Sequence, residues 1–200
     1  MKTFRTILAA LLLALFCIAP SYADTPMQQA RSVVVLLGTM STAGGGSCSA
    51  VVLKPGLALT AGHCTEIPEM VLKLADGKTL PVTAFTVAPA RDLAVLVVPG
   101  LTCPCAQLTR EPIVQDELVM VVGFPYGMTA QVVTVGRAQA RITDPDDSQE
   151  YLMTTAPAAP GNSGGGLFVI RAGAAYLVGI MSKSSPNGNL TLSVEVRPAE

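Results

Sequence analysis

Apolar residues in this chain come in short runs, and none keeps the period of a long helix. Stretches rich in Val, Leu, Ile and Thr recur at 32–38, 49–53, 70–74, 93–98, 118–123, 131–135, 152–155, 167–170, 176–180 and 190–196, separated by Gly, Pro or Asp. Ten such segments at this spacing predict an all-β barrel or sandwich. Asp76-Gly77 lies between two runs and has the residue types of a tight hairpin turn. Residues 99–115, with Pro99, Pro104 and Pro112, are the least strand-like stretch and the expected connection between two lobes. Residues 143–150 read as a solvated acidic loop rather than a cation site.

The N-terminus is of another kind. Lys2 and Arg5 precede an apolar run over 7–19, and Ser21 and Ala23 supply small residues before Asp24. This is the pattern of a secretory signal peptide cleaved after Ala23. The run is shorter than the roughly 20 residues of a membrane-crossing helix, and bulky Phe16 before Cys17 argues against a lipoprotein. Removing 1–23 leaves 177 residues at net charge −3, expected as one domain over 24–200. That domain is expected to be secreted or periplasmic, off the membrane and monomeric. With 13 basic and 14 acidic side chains dispersed along the chain, no nucleic-acid partner is expected. One His excludes a multi-histidine metal site, and neither metal nor cofactor is expected. Export permits disulfides. Cys48, Cys64, Cys103 and Cys105 allow three pairings, and spacing does not choose among them.

Three segments carry chemistry. In Pro160-Gly161-Asn162-Ser163-Gly164-Gly165-Gly166 the glycines permit a sharp turn and leave a hydroxyl and backbone N–H groups accessible. The segment also fits G-x-S-x-G, but α/β-hydrolases place their histidine after the serine, and His63 precedes Ser163 by 100 residues. In Leu59-Thr60-Ala61-Gly62-His63-Cys64, a neutral His63 could take a serine's proton and return it to a leaving amine. In Arg91-Asp92-Leu93-Ala94-Val95-Leu96, an aspartate opening so apolar a run needs a partner, and the imidazole N–H would supply one. Asp116 is the next candidate for that role. Asp76 belongs to its turn, and Asp144, Asp146 and Asp147 to their loop.

In the order His, Asp, Ser, these segments resemble the chymotrypsin-like (trypsin-like) serine peptidases. Gly46-Ser47-Cys48-Ser49-Ala50 and Thr60-Ala61-Gly62-His63-Cys64 look like that family's cysteine strand and T-A-A-H-C segment. Asp92-Leu93-Ala94-Val95-Leu96 looks like its D-I/L-A-L-L strand, Gly161-Asn162-Ser163-Gly164-Gly165 like G-D-S-G-G, and Gly179-Ile180-Met181-Ser182 like the strand beside its substrate channel. The resemblance implies two antiparallel six-stranded β-barrels, about 24–105 and 112–200, with the active site in the cleft between them. It implies a secreted endopeptidase acting on proteins or peptides. Ser163 would be nucleophile, His63 general base and acid, Asp92 the orienting carboxylate, and the N–H groups of Gly161 and Ser163 the oxyanion hole. It also implies a Cys48–Cys64 bridge, which would close a loop of about 17 residues worth about 3 kcal/mol. Cys103 and Cys105 have no family counterpart, and a bridge between them would be strained.

The departures matter as well. Asn162 stands where digestive members carry the aspartate that pairs with a new amino terminus, so no zymogen activation of that kind is expected. Only 37 residues follow Ser163, too few for a PDZ module. By resemblance, Pro157 lies at the base of the primary pocket and Ser182, Lys183 and Ser184 form its wall. That disfavours tryptic cleavage and favours small or medium apolar side chains, with Lys183 expected to face solvent. A binding protein that keeps the fold without catalysis is the alternative.

Overall fold

A computed structural model describes residues 24–40, 46–88, 90–102 and 104–198. The expected signal peptide over 1–23 and the cysteine at 103 lie outside these. The first element among the described residues, α1 (Pro26–Ser32), is a helix that the apolar pattern does not announce. Its start is local chemistry: Thr25 Oγ1 accepts the Gln28 N–H at 3.3 Å, and Gln28 Oε1 accepts the Thr25 N–H at 2.8 Å. This is a capping box, with Pro26 at a position that needs no N–H.

The first sheet contains β1 (Val34–Thr39), β2 (Cys48–Lys54), β3 (Leu57–Thr60), β4 (Met70–Lys73), β5 (Thr79–Pro81), β6 (Ala84–Val87) and β7 (Ala94–Val97). Their order is β5-β4-β1-β2-β3-β7-β6. β5 and β6 are halves of one bent segment. β5 pairs with β4 at one edge and β6 with β7 at the other. At the bend the Val82 N–H donates to the Met70 carbonyl and the Thr83 N–H to the Val97 carbonyl. The bent segment therefore closes the sheet on itself, and counted as one strand it completes a six-stranded barrel. The Asp76-Gly77 turn joins β4 to β5 as its residue types predict, with Gly77 at φ +83° and Asp76 Oδ1 accepting the Lys78 N–H.

The second sheet contains β8 (Gln107–Leu108), β9 (Leu118–Gly123), β10 (Val132–Thr143), β11 (Glu150–Thr154), β12 (Gly166–Arg171), β13 (Ala174–Ser184) and β14 (Thr191–Glu195). Six of these form an antiparallel ring, since β12 pairs with both β9 and β13. β8 adds to β13 in parallel. The expected all-β, two-barrel architecture is present. The strands absent from the apolar pattern, β3, β5, β6 and β8, are only two to four residues long.

Each barrel has its own core. Leu37, Leu72, Leu96 and Val98 are fully buried in the first, and Val119, Leu167 and Val169 in the second. A third cluster joins them: Leu36, Val51 and Leu59 of the first sheet pack with Val122, Phe168, Leu177 and Ile180 of the second. Each such side chain contributes roughly 1.5–3 kcal/mol on burial. The joint is apolar and closely packed, so groups contributed by the two barrels keep fixed relative positions.

Candidate active site

His63 follows β3 in a 3-10 turn, Gly62–Glu66. A disulfide from Cys64 to Cys48 on β2, with Cα atoms 6.2 Å apart, ties this turn to the first barrel. Asp92 lies just before β7, which pairs with β3. The Asp92 carboxylate grips the turn twice. Oδ1 accepts the His63 backbone N–H at 2.8 Å, and Oδ2 accepts from ring Nδ1 at 2.9 Å. Gly62 permits this approach, because a Cβ there would lie 3.0 Å from Asp92 Oδ1. With Nδ1 protonated, Nε2 is the basic nitrogen.

The two pKa values move in opposite directions. The hydrogen bond to Asp92 holds the His63 imidazolium and raises its pKa above the ordinary 6.5, against the opposing effect of burial. Burial pushes Asp92 up, but hydrogen bonds from the His63 ring, the Ser182 hydroxyl and the His63 N–H outweigh it and hold the carboxyl at about 2. The aspartate is thus ionised at neutral pH. Asp116, the other candidate, sits in an exposed turn at φ +63°, its N–H bonded to the Ala138 carbonyl. It makes no contact with His63 among the described residues.

Ser163 comes from the second barrel, in the loop entering β12. Ser182 on β13 connects it to the pair: the Ser182 hydroxyl donates to Asp92 Oδ2, and the Ser182 carbonyl accepts from Ser163 Oγ at 3.3 Å. Among the described residues no hydrogen bond joins Ser163 Oγ to the His63 ring, and such bonds commonly tighten when substrate binds. The turn before it has Pro160 second, Gly161 third at φ +95°, and an Asn162 N–H bond to the Ala159 carbonyl at 3.0 Å. That is a type II turn with its preferred residues. Among the described residues the N–H groups of Gly161 and Ser163 have no acceptor, as an oxyanion hole requires. Asn162 is buried, with Oδ1 unpartnered.

Ser49 locks this loop, a role not legible in the chain's motifs. Its N–H donates to the Ser163 carbonyl at 2.7 Å, its hydroxyl donates to the Gly161 carbonyl and accepts from the Phe124 N–H, and its carbonyl accepts from Thr60 Oγ1. A serine in an apolar strand whose hydroxyl must be satisfied was the available signal. Gln149 was also missed: its Oε1 accepts the Asp92 N–H at 2.7 Å.

Pro157 is exposed, and its carbonyl accepts from Thr134 Oγ1. Ser184 ends β13 and is exposed. The Lys183 ammonium bonds Asp144 at 2.8 Å and Asp147 at 2.7 Å and lies 5.2 Å from the Tyr151 ring centroid. It is engaged by the acidic loop rather than free in solvent. Among the described residues, Cys48, His63 and Cys64 bring potential metal ligands within 4.8 Å of one another, but the disulfide consumes both thiolates.

The model of the trypsin-like peptidase domain matches residues 48–180, and the chain belongs to that family. A DegP-like periplasmic serine endoprotease of Pseudomonas putida is 29% identical over 136 residues, covering 66% of this chain and 28% of the relative. The serine protease HhoA of Synechocystis is 32% identical over 125 residues, covering 58% and 32%. The chain thus spans about a third or less of these relatives' lengths. Among solved structures, the HtrA-type protease AlgW with tripeptide superposes with TM-score 0.75 at 28% identity, covering 88% of this chain and 60% of that one. An M. tuberculosis protease in its active form, 20% identical, shares the fold with TM-score 0.74 and coverage of 88% and 82%.

Proposed function

We propose that this chain is a serine endopeptidase acting outside the cytoplasm after loss of residues 1–23, with barrels over about 24–105 and 112–200. The observation that carries this reading is the hydrogen-bonded line from His63 through Asp92 and Ser182 to Ser163, beside two unpaired backbone N–H groups. Ser163 Oγ attacks the scissile carbonyl carbon while His63 Nε2 takes its proton. The oxyanion that forms accepts from the Gly161 and Ser163 N–H groups. His63 returns the proton to the leaving amine, and a water deprotonated by His63 then releases the acyl group from Ser163. Asp92 stays ionised and stabilises the imidazolium. No metal or cofactor takes part, and the enzyme acts as a monomer on protein or peptide substrates. Pro157 and the edge at 182–184 favour small or medium apolar side chains in the primary pocket, with Lys183 neutralised by its two aspartates.

Peptide-library cleavage by the purified protein, together with labelling by a sulfonyl fluoride, tests this. Turnover and labelling are expected, and Ser163→Ala should abolish labelling and lower kcat by roughly 10⁶. A folded wild-type protein that neither labels nor cleaves would instead be a binding protein on a peptidase fold.

A further inference from the structure

The loop joining β13 to β14 carries chemistry that the proposed catalysis does not use. It contains Ser185-Pro186-Asn187-Gly188-Asn189-Leu190, and Asn187 is exposed. Asparagine is a thermolabile residue, because its side-chain amide carbon can be attacked by the next backbone nitrogen. Glycine in the next position has no Cβ to hinder the five-membered ring that results.

The loop holds this side chain in a defined place. The Ser185 N–H donates to the Leu190 carbonyl at 2.9 Å, and the Leu190 N–H donates to Ser185 Oγ at 3.0 Å. Inside that frame Asn187 Oδ1 accepts from Ser185 Oγ at 2.7 Å and from the Asn189 N–H at 3.2 Å. Two donors therefore rest on the oxygen that gains negative charge when its carbon is attacked, and they stabilise that charge. The Gly188 N–H donates to the Ser185 carbonyl at 2.8 Å. This bond must open before the nitrogen reacts, so the step is slow.

The same loop is seated on the segment that leads to Ser163. The Ala158 N–H donates to the Gly188 carbonyl at 3.0 Å. Gly188 has φ +70°, and a Cβ there would lie 2.7 Å from the Ala158 carbonyl oxygen. Backbone meets backbone at this point, so a change in the length of the loop's main chain breaks the contact.

We propose that Asn187 is a site of spontaneous modification: it closes a succinimide with Gly188 and opens to aspartate and isoaspartate, and the isoaspartyl form releases Ala158. In the first step Gly188 N bonds to Asn187 Cγ and gives up its proton, and the side-chain nitrogen leaves as ammonia. Water then adds to one of the two imide carbonyls and breaks its bond to nitrogen. Opening at the main-chain carbonyl routes the chain through Cβ and Cγ, one methylene longer. The conversion and the release of Ala158 are independent of the peptidase reading. Only their effect on substrate binding, through neighbouring Pro157 and Ser184, rests on it.

The test incubates the full mature chain, carrying Ser163→Ala to prevent self-cleavage, in warm, mildly alkaline buffer. The tryptic peptide 184–200 is then mapped by mass spectrometry, with fragmentation that tells isoaspartate from aspartate. Conversion at Asn187 is expected, faster than in mildly acidic buffer because Gly188 must lose its proton. Asn189 and Asn162, which precede Leu190 and Ser163, should stay unchanged. In the converted chain the Ala158 amide should exchange with deuterium several-fold faster than in the fresh chain. Asn187→Gln, incubated alongside, should keep the mass and the protection of the fresh chain. No conversion at Asn187, equal conversion at Asn189, or a converted chain with Ala158 still protected overturns the proposal. In wild type aged the same way, KM should rise several-fold with kcat changed less, and an unchanged KM would overturn the link to the pocket. Absence of turnover in fresh wild type, with conversion and exchange as expected, would fault the peptidase reading and leave the modification site standing.

Discussion

Two loops of the second barrel support the proposed triad and are built in contrasting ways. The loop over 159–165 works through its backbone. Ser163 is held by its own carbonyl, Gly161 stands at φ +95° and Gly164 at φ +80°, and a Cβ at Gly164 would lie 2.1 Å from both the Ser49 carbonyl oxygen and Thr60 Oγ1. The loop over 144–149 works through side chains: Gln149 reaches Asp92, and Asp144 and Asp147 hold Lys183 beside Ser182. Where backbone must touch backbone, only glycine fits. Where a side chain spans the gap, several polar residues would serve.

The first loop should therefore fail abruptly. Gly164→Ala combines a disfavoured φ with a clash against backbone, so the loop must leave its seat on Ser49. Turnover should fall by at least the roughly 10²–10³ that one lost oxyanion donor costs, with a lower melting temperature. Near-wild-type turnover in this variant would remove the backbone account. Asp92→Asn approaches the same chemistry from the other side. In enzymes with this constellation the change costs about 10⁴ in kcat. It should also move the pH profile. Wild-type kcat/KM should rise as His63 loses its proton, with a midpoint above 6.5 because Asp92 favours the imidazolium. Asp92→Asn removes the chief raising influence, so the midpoint should fall, and an unmoved midpoint would separate Asp92 from His63.

This contrast also explains what could be read from the sequence. Gly161, Gly164 and Gly165 flank Ser163 because no other residue fits, so the pattern itself announces the site. Asp92 was legible through the apolar run it opens, where an ionisable side chain needs a partner, and His63 as the single histidine, beside Cys64 in a segment that resembles the family's T-A-A-H-C. Ser49 and Gln149 were not, because the partners of the Ser49 hydroxyl lie 75 and 112 residues away in sequence and that of Gln149 Oε1 lies 57 away. The fold follows the same rule: long apolar strands were visible, while β5, β6 and α1 depend on local bends and caps. The solvated reading of 143–150 holds for exposed Asp146 and fails for buried Gln149.

Gln149→Leu measures what one such side chain contributes. It strips the Asp92 N–H of its acceptor, a loss of roughly 1–3 kcal/mol, and tilts the carboxylate that orients His63. A drop of about tenfold in kcat with little change in KM is expected. Gln149→Glu, which restores an acceptor oxygen, should recover part of it. A change confined to KM would place Gln149 with substrate binding instead.

The smallest effect belongs to the charges of the same loop. Lys183 pulls Asp144 below its ordinary range, and Lys183 together with the Tyr151 hydroxyl holds Asp147 at about 2. Both aspartates lie near solvent, where ion pairs are screened and contribute little. Asp144→Asn with Asp147→Asn should thus cost less activity than Gln149→Leu, and less again in 0.5 M salt. The pH dependence has a definite sign. A carboxylate whose folded pKa is depressed stabilises the fold above its unfolded value near 3.9, and that stabilisation is lost as pH falls toward 2. Melting temperatures of the wild type and the double variant should therefore differ at pH 5 and converge near pH 2. If the gap persists at pH 2, the aspartates act by shape and hydrogen bonding rather than by charge, and the two halves of the loop, Gln149 and the aspartates, work in the same way.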